Sequence, residues 1–182
     1  MNVLAIAGSL RATSINAAFC RALARLAPSA LRVTVFTGMG DIPLFNPDLE
    51  PDPPRGAVAL REAVRAADAL LIASPEYAHG ISGVMKNALD WLVSDLGTVH
   101  KPAALINTSP RAQHAYQALR EVCHTMSMVL IDDASITIPL LGVCTTEEAM
   151  MASDEVQRAA QRALSAITTH LANQDTTPLT FT

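Results

Sequence analysis

Two hydrophobic patterns alternate along the chain. Short apolar runs rich in Val, Ile and Leu occur at "NVLAIAG" (2 to 8), "RVTVFTG" (32 to 38), "ADALLIASP" (67 to 75), "PAALINTSP" (102 to 110) and "MVLIDDASITIP" (128 to 139). The first, third and fourth are nearly unbroken, as strands covered on both faces should be. Other segments carry apolar stripes with a 3.6-residue period. One holds Ile15, Phe19, Ala22, Leu23 and Leu26; a second holds Ile81, Val84, Met85, Ala88, Leu89 and Leu92. A third holds Ala115, Ala118, Leu119, Val122 and Met126, and the last runs from Val156 through Ala160, Leu164 and Ile167 to Leu171. Thr145 and Glu148 have the spacing of a capping box for an earlier start to that last helix. Strand and helix in alternation predict an α/β fold, a five-stranded parallel sheet with helices on both faces.

Ligands of such sheets bind beyond the carboxyl ends of the strands. The loops to read are therefore "GSLRATSIN", "SPEYAHGISG" and "TSPRAQ", after the first, third and fourth strands. The proline-rich stretch "GDIPLFNPDLEPDPPRG" (40 to 56) reads as a surface excursion and a candidate rim of the site.

Composition narrows the classes. At 182 residues, half of them hydrophobic and 16% charged, the chain suits one folded domain spanning 1–182. A net charge of −4 with no basic run argues against a general nucleic-acid or anionic-membrane binder. No apolar run approaches the ~20 residues of a membrane span, and the first residues lack the charged start and cleavage region of a leader. Cys20, Cys123 and Cys144 are scattered and form no CxxC, so reduced, buried thiols in a cytoplasmic protein are expected. Their spacing with the five histidines gives no zinc site, and no metal is expected.

The first loop holds the parts of a phosphate site. A helix N-terminus offers unpaired N–H groups and the positive end of its dipole. Ser9 and Ser14 can add hydroxyl donors, and Arg11 a guanidinium fork suited to phosphate oxygens. The same residues also suit a plain N-cap, Ser14 or Thr13, beside a solvated Arg11. No GxGxxG and no GxxxxGK[ST] is present, so the loop suits one terminal phosphate rather than a pyrophosphate.

"GSLRATSIN" together with "SPEYAHGISGVMKNALDW" resembles the NADPH-dependent FMN reductase family, the flavodoxin-like quinone, azo and chromate reductases. The family pattern is a GSLRxxSxN loop followed by PEYNxxxPGxLKNxxDW. The resemblance implies a flavodoxin-like three-layer α/β/α sandwich with strand order 2-1-3-4-5. It implies that Ser9, Arg11, Ser14 and Asn16, with the backbone at Ile15, hold the phosphate of FMN. Pro75, Glu76, Tyr77 and Ala78 would run along the ribityl chain and ring, with Ser109 near the pyrimidine end. NADPH or NADH would be the co-substrate and a small molecule the electron acceptor. Members are usually homodimers or homotetramers, with the face of Lys86, Asn87, Asp90 and Trp91 toward a partner subunit.

Three departures from the pattern matter. Ala78 stands where Asn is frequent, which removes any side-chain bond to the flavin from that position. Ser82 stands where Pro is usual, which loosens the first turn of the helix. "NTSPRAQHA" lacks the glycines many relatives carry there.

Read singly, Tyr77 suits a ring contact, and Glu76, awkward beside an anionic cofactor, suits a positioning role. His79 is a candidate proton donor, but the flavin itself carries the electron transfer, and no side chain is assigned as catalytic. Lys86 and Asp90 suit an i, i+4 pair. "HGISGV" fails the last glycine of a nucleophile elbow, so a hydrolase is set aside. The expected activity is an FMN-dependent NAD(P)H oxidoreductase with ping-pong kinetics; the rival is a flavodoxin-type electron carrier.

Overall fold

The computed structural model describes residues 1–140 and 142–175; Leu141 and residues 176–182, part of the expected 1–182 domain, lie outside them. The chain begins with β1 (Asn2–Ala7), α1 (Ile15–Leu26), β2 (Arg32–Val35), α2 (Arg55–Ala66) and β3 (Ala69–Ala73). A small hairpin, β4 (Glu76–Tyr77) and β5 (Gly80–Ile81), leads into α3 (Gly83–Val93) and β6 (Pro102–Asn107). Then come α4 (Gln113–Thr125), β7 (Val129–Leu130), β8 (Ile136–Thr137), α5 (Glu147–Ala152) and α6 (Asp154–Asp175).

The main sheet has the order β2-β1-β3-β6-β7, with β8 also on β6, and every pair is parallel. That is the expected 2-1-3-4-5 arrangement, with the fifth position shared by two short pieces. The alternation of side chains along the central strands builds two cores. Val3, Ala5, Leu71, Ala104 and Ile106 face α1 and α6. Leu4, Ile6, Leu70, Ile72 and Leu105 face α2, α3 and α4. All five residues of β3 are fully buried, which is why that segment reads as an unbroken apolar run.

Three elements differ from the sequence pattern, each for a local reason. The expected strand 128 to 139 is broken by a 3₁₀ turn at Asp132–Ala134. The two adjacent carboxylates stay exposed there, and Ser135 replaces the lost ladder bond: its Oγ accepts the Leu105 N–H and donates to the Ile131 carbonyl, each at 3.0 Å. Helix α2 carries no stripe long enough to stand out, because Arg61 is buried in it beside Ala57, Leu60 and Val64. The helical start before α6 is a separate helix, α5, capped by Thr146 rather than Thr145, the Thr146 side chain accepting from Ala149 N at 3.2 Å.

The proline-rich stretch is not a rim of the site. It folds against α3: Asn87 accepts the Phe45 N–H at 2.8 Å and, with the Trp91 indole N–H, donates to the Pro43 carbonyl. Phe45 meets Trp91 edge to face, at 5.1 Å between centroids. Trp91 is thereby buried inside its own chain and offers no surface to a partner. Lys86 and Asp90 form the expected i, i+4 pair at 2.5 Å.

Candidate functional site: a cavity at the carboxyl ends of the strands

Strand β1 runs out at Gly8, whose N–H continues the ladder to the Ala73 carbonyl at 2.8 Å. A side chain at this position would place Cβ 2.7 Å from Met85 Cβ and 2.8 Å from Ser82 Oγ, so glycine alone lets the first loop close on the start of α3. Ser82 then fastens the two. Its Oγ donates to the Gly8 carbonyl at 2.6 Å and accepts the Met85 N–H at 3.2 Å as the N-cap of α3. The expected loosening at Ser82 is therefore corrected: the serine ties the helix start where a proline would only have preset its angle.

At the amino end of α1, Ser14 is the N-cap, accepting the Ala17 N–H at 3.2 Å. Capping uses a lone pair and leaves the hydroxyl proton to donate outward, so capping and phosphate binding are compatible. Arg11 is exposed, its guanidinium donates to Thr13 Oγ1 at 3.4 Å, and it has no ion pair among the described residues. Asn16 is buried, its Oδ1 accepting the Thr108 hydroxyl at 3.0 Å, which couples the first loop to the fourth strand. With its oxygen engaged, the amide faces its surroundings as an N–H donor.

Across the opening, β3 empties into Pro75, Glu76 and Tyr77. Glu76 Oε2 accepts the Ala115 N–H at 2.9 Å, standing in for a cap on the first turn of α4, where Ala112 offers no side-chain acceptor. The third loop thus fixes the fourth. That loop is tightly turned: Asn107 Oδ1 accepts the Ser109 N–H at 3.1 Å, and the Ala112 N–H reaches the Ser109 carbonyl at 3.0 Å. Tyr77 is 54% exposed, so its ring borders the opening instead of packing on the core.

These loops enclose a cavity of about 590 Å³, within the range of small-ligand sites. Ser9, Arg11, Ser14, Ile15, Asn16, Pro75, Glu76, Tyr77 and Ser109 line it. Ala78 stands apart at the hairpin tip, with φ of 49°, followed by His79 at 59°. His79 is likewise outside the lining; its ring meets His114 at 4.4 Å between centroids. Sequence reading missed Thr13, Ser74, Asn107, Thr108, Arg111 and Thr145, which also line the cavity. The polar ends of the third and fourth strands could have pointed to Ser74, Asn107 and Thr108; nothing local marks Thr145.

The donor set sorts by position. Arg11, the hydroxyls of Ser9, Thr13 and Ser14, and the N–H groups opening α1 form one polar end, suited to a dianion. Pro75 and Tyr77 from the third loop and Ser109 from the fourth line the rest, the two loops joined by the Glu76–Ala115 bond. Phosphate and planar ring of FMN fit these two parts in chemistry. Among the described residues no His/Cys/Asp/Glu cluster could hold a metal ion, and no helix is long and apolar enough to cross a membrane.

Comparison with known proteins points the same way. Residues 1–140 match the family model for NADPH-dependent FMN reductase. A 2-hydroxy-1,4-benzoquinone reductase from a Burkholderia species is 38% identical over 144 residues, covering 76% of this chain and 78% of the relative. A quinone reductase from Pseudomonas putida is 35% identical over 142 residues, covering 76% and 75%. Among solved structures, FerB, a flavoenzyme NAD(P)H:(acceptor) oxidoreductase from Paracoccus denitrificans, superposes with a TM-score of 0.75 at 27% identity, over 93% of this chain and 98% of that one.

Proposed function

The chain belongs to the NADPH-dependent FMN reductase family, and from that premise we propose that the cavity holds FMN and serves an NAD(P)H oxidoreductase acting on small acceptors. FMN, when bound, supplies the redox chemistry, taking two electrons from NAD(P)H and passing them to the acceptor. The protein's part is to hold and orient it. The observation that carries the reading is Arg11, unpaired among the described residues, set with three hydroxyls at the α1 N-terminus, where the cavity begins.

Ser9, Arg11, Thr13, Ser14 and Asn16 bind the phosphate, with the Ile15 N–H. Pro75 and Tyr77 would border the ring, Glu76 acting through α4 rather than by contact. Ser109, also in the lining, would sit near the pyrimidine end of the ring. His79, its ring tilted against His114 outside the lining, donates no proton in this reading. One mouth serves both co-substrates, so they enter in turn and the kinetics are ping-pong. Quinones, azo compounds, chromate and free flavin are all acceptors of suitable size.

The whole of 1–182 acts as one FMN-binding domain, since α6, beyond the matched 140 residues, packs on the same sheet face as α1. A homodimer or homotetramer is supported by Leu44, Val93 and Leu96, exposed by 84%, 64% and 85% on the segment packed on α3, on α3 itself and on the turn after it. Cys20, Cys123 and Cys144, all free and buried, suit a reducing compartment such as the cytoplasm.

The deciding experiment is the anaerobic half-reaction. NADPH or NADH added to the FMN-loaded protein bleaches the flavin within the turnover time; an unchanged spectrum would instead assign an electron carrier.

A further inference from the structure

The cavity is lined by two cations, and the phosphate accounts for one. Arg11 belongs to the dianion end. Arg111 lies on the fourth loop and lines the same cavity as Pro75 and Tyr77. Resting on the reading of this cavity as the flavin site, we propose that Arg111 selects the electron acceptor: it draws in small aromatic acceptors that carry an ionised oxygen, such as quinones with a deprotonated ring hydroxyl, over their neutral analogues.

The backbone of Arg111 is held in place. Its N–H donates to Ser109 Oγ at 3.4 Å, Gln113 Nε2 donates to the Pro110 carbonyl at 2.9 Å, and the Ala112 N–H closes the turn on the Ser109 carbonyl. Its side chain, by contrast, is exposed and makes no hydrogen bond or ion pair with the described residues. A rigid base with an uncommitted guanidinium suits an incoming partner better than an internal one.

The local charge leaves that guanidinium available. Glu76 is the one carboxylate among the lining residues, and its Oε2 is already engaged by the Ala115 N–H on α4. The first turn of α4, beginning two residues after Arg111, adds the positive end of a 13-residue helix. Glu76 is thus directed to the α4 start, and the Arg111 guanidinium stays free for an incoming anion. An anion there gains a charge-assisted, two-pronged contact, whereas a neutral ring gains only stacking.

The alternative anion is the 2′-phosphate of NADPH. It sits on the adenosine half of the dinucleotide, the end remote from the nicotinamide ring. A cavity of about 590 Å³ that holds a mononucleotide has room for one further small ring, not for the adenosine half as well. A cation inside the cavity thus reads substituents on the ring that enters, which for the acceptor includes an ionised oxygen.

The test uses the FMN-loaded protein, Arg111→Gln and Arg111→Lys, with 2-hydroxy-1,4-naphthoquinone and its 2-methoxy ether, above the pKa of the hydroxyl. Dissociation constants of the oxidised quinones for the oxidised protein are read from flavin absorbance without NAD(P)H, so no turnover enters the measurement. Arg111→Gln is expected to weaken hydroxyquinone binding, and to lower its kcat/KM, by about tenfold or more. The methoxy compound should change by less than about twofold, Arg111→Lys should retain part of the preference, and FMN affinity and bleaching rate should hold. Equal losses for the two quinones, a loss confined to NADPH over NADH, or weakened FMN binding would each overturn the proposal. A wild-type protein that binds no FMN would sink the underlying flavin reading; one that bleaches normally but shows equal losses sinks the role of Arg111 alone.

Discussion

The Ser82 hydroxyl does two jobs at once, capping α3 and holding the Gly8 carbonyl of a loop 74 residues away in sequence. Ser82→Ala removes the cap and strands a carbonyl beside buried Met85, a combined loss of about 1–3 kcal/mol. Thermal melts should register it, and FMN affinity should fall as the first loop loses its anchor; unchanged melting would show that the contact contributes nothing. Arg11 belongs to the same scale, its proposed role being in ligand binding. Arg11→Ala should weaken FMN by about 1.5–3 kcal/mol, the size of a charge-assisted hydrogen bond, with little effect on the fold since the side chain is exposed. Flavin retention equal to wild type in equilibrium titration would remove Arg11 from the phosphate site. Both residues stand inside recognisable strings of sequence. What the string did not reveal is that Ser82 faces Gly8, because that meeting depends on how β1 and α3 approach each other.

Among the elements, the β4–β5 hairpin is the strained one. Ala78 and His79 occupy the two central positions of its turn with φ of 49° and 59°, as a type I′ turn requires. An L-residue with a Cβ is disfavoured there, while glycine or asparagine is tolerated. Asn, frequent at this position in the family pattern, thus meets a backbone demand, and the change to Ala78 costs turn stability. Ala78→Gly should raise stability by about 0.5–1 kcal/mol, or about 1–4 °C in Tm for a chain of this size. A lower Tm would mean the tip is not strained. The start of α4 shows the opposite economy: its acceptor, Glu76, comes from the neighbouring third loop, 39 residues earlier in the chain. No capping residue precedes α4 in sequence, so its stripe marked the helix without marking its support.

At the scale of the molecule, two cores flank the sheet and a set of ion pairs braces the outer layers. Glu50 is held below the usual carboxylate range by hydrogen bonds from Arg61 and then Ser94, and Glu147 by those from Arg21 and Arg25. Lowered pKa values in the folded state mean that this stabilisation is complete above the ordinary glutamate range and is lost as pH falls through the lowered values. Tm should hold from neutrality to about pH 5 and decline below about pH 4. Glu50→Gln with Glu147→Gln should lower Tm at neutral pH and flatten the acid limb, by a modest amount because both groups reach solvent; an unaltered limb would assign acid sensitivity elsewhere. The pattern along the chain determined the α/β class, the parallel sheet and the loops that bear the site, because burial on two faces or one writes itself into local periodicity. It also pointed to the polar end of the cavity proposed for the phosphate, whose donors are neighbours in sequence. Only the tertiary structure decided that Asn16 meets Thr108, that Thr145 and Arg111 join the lining while Ala78 does not, and that Trp91 is covered by residues 43–45. Those meetings follow from strand register and the direction of each crossover, which place distant side chains together without leaving a spacing between them to read.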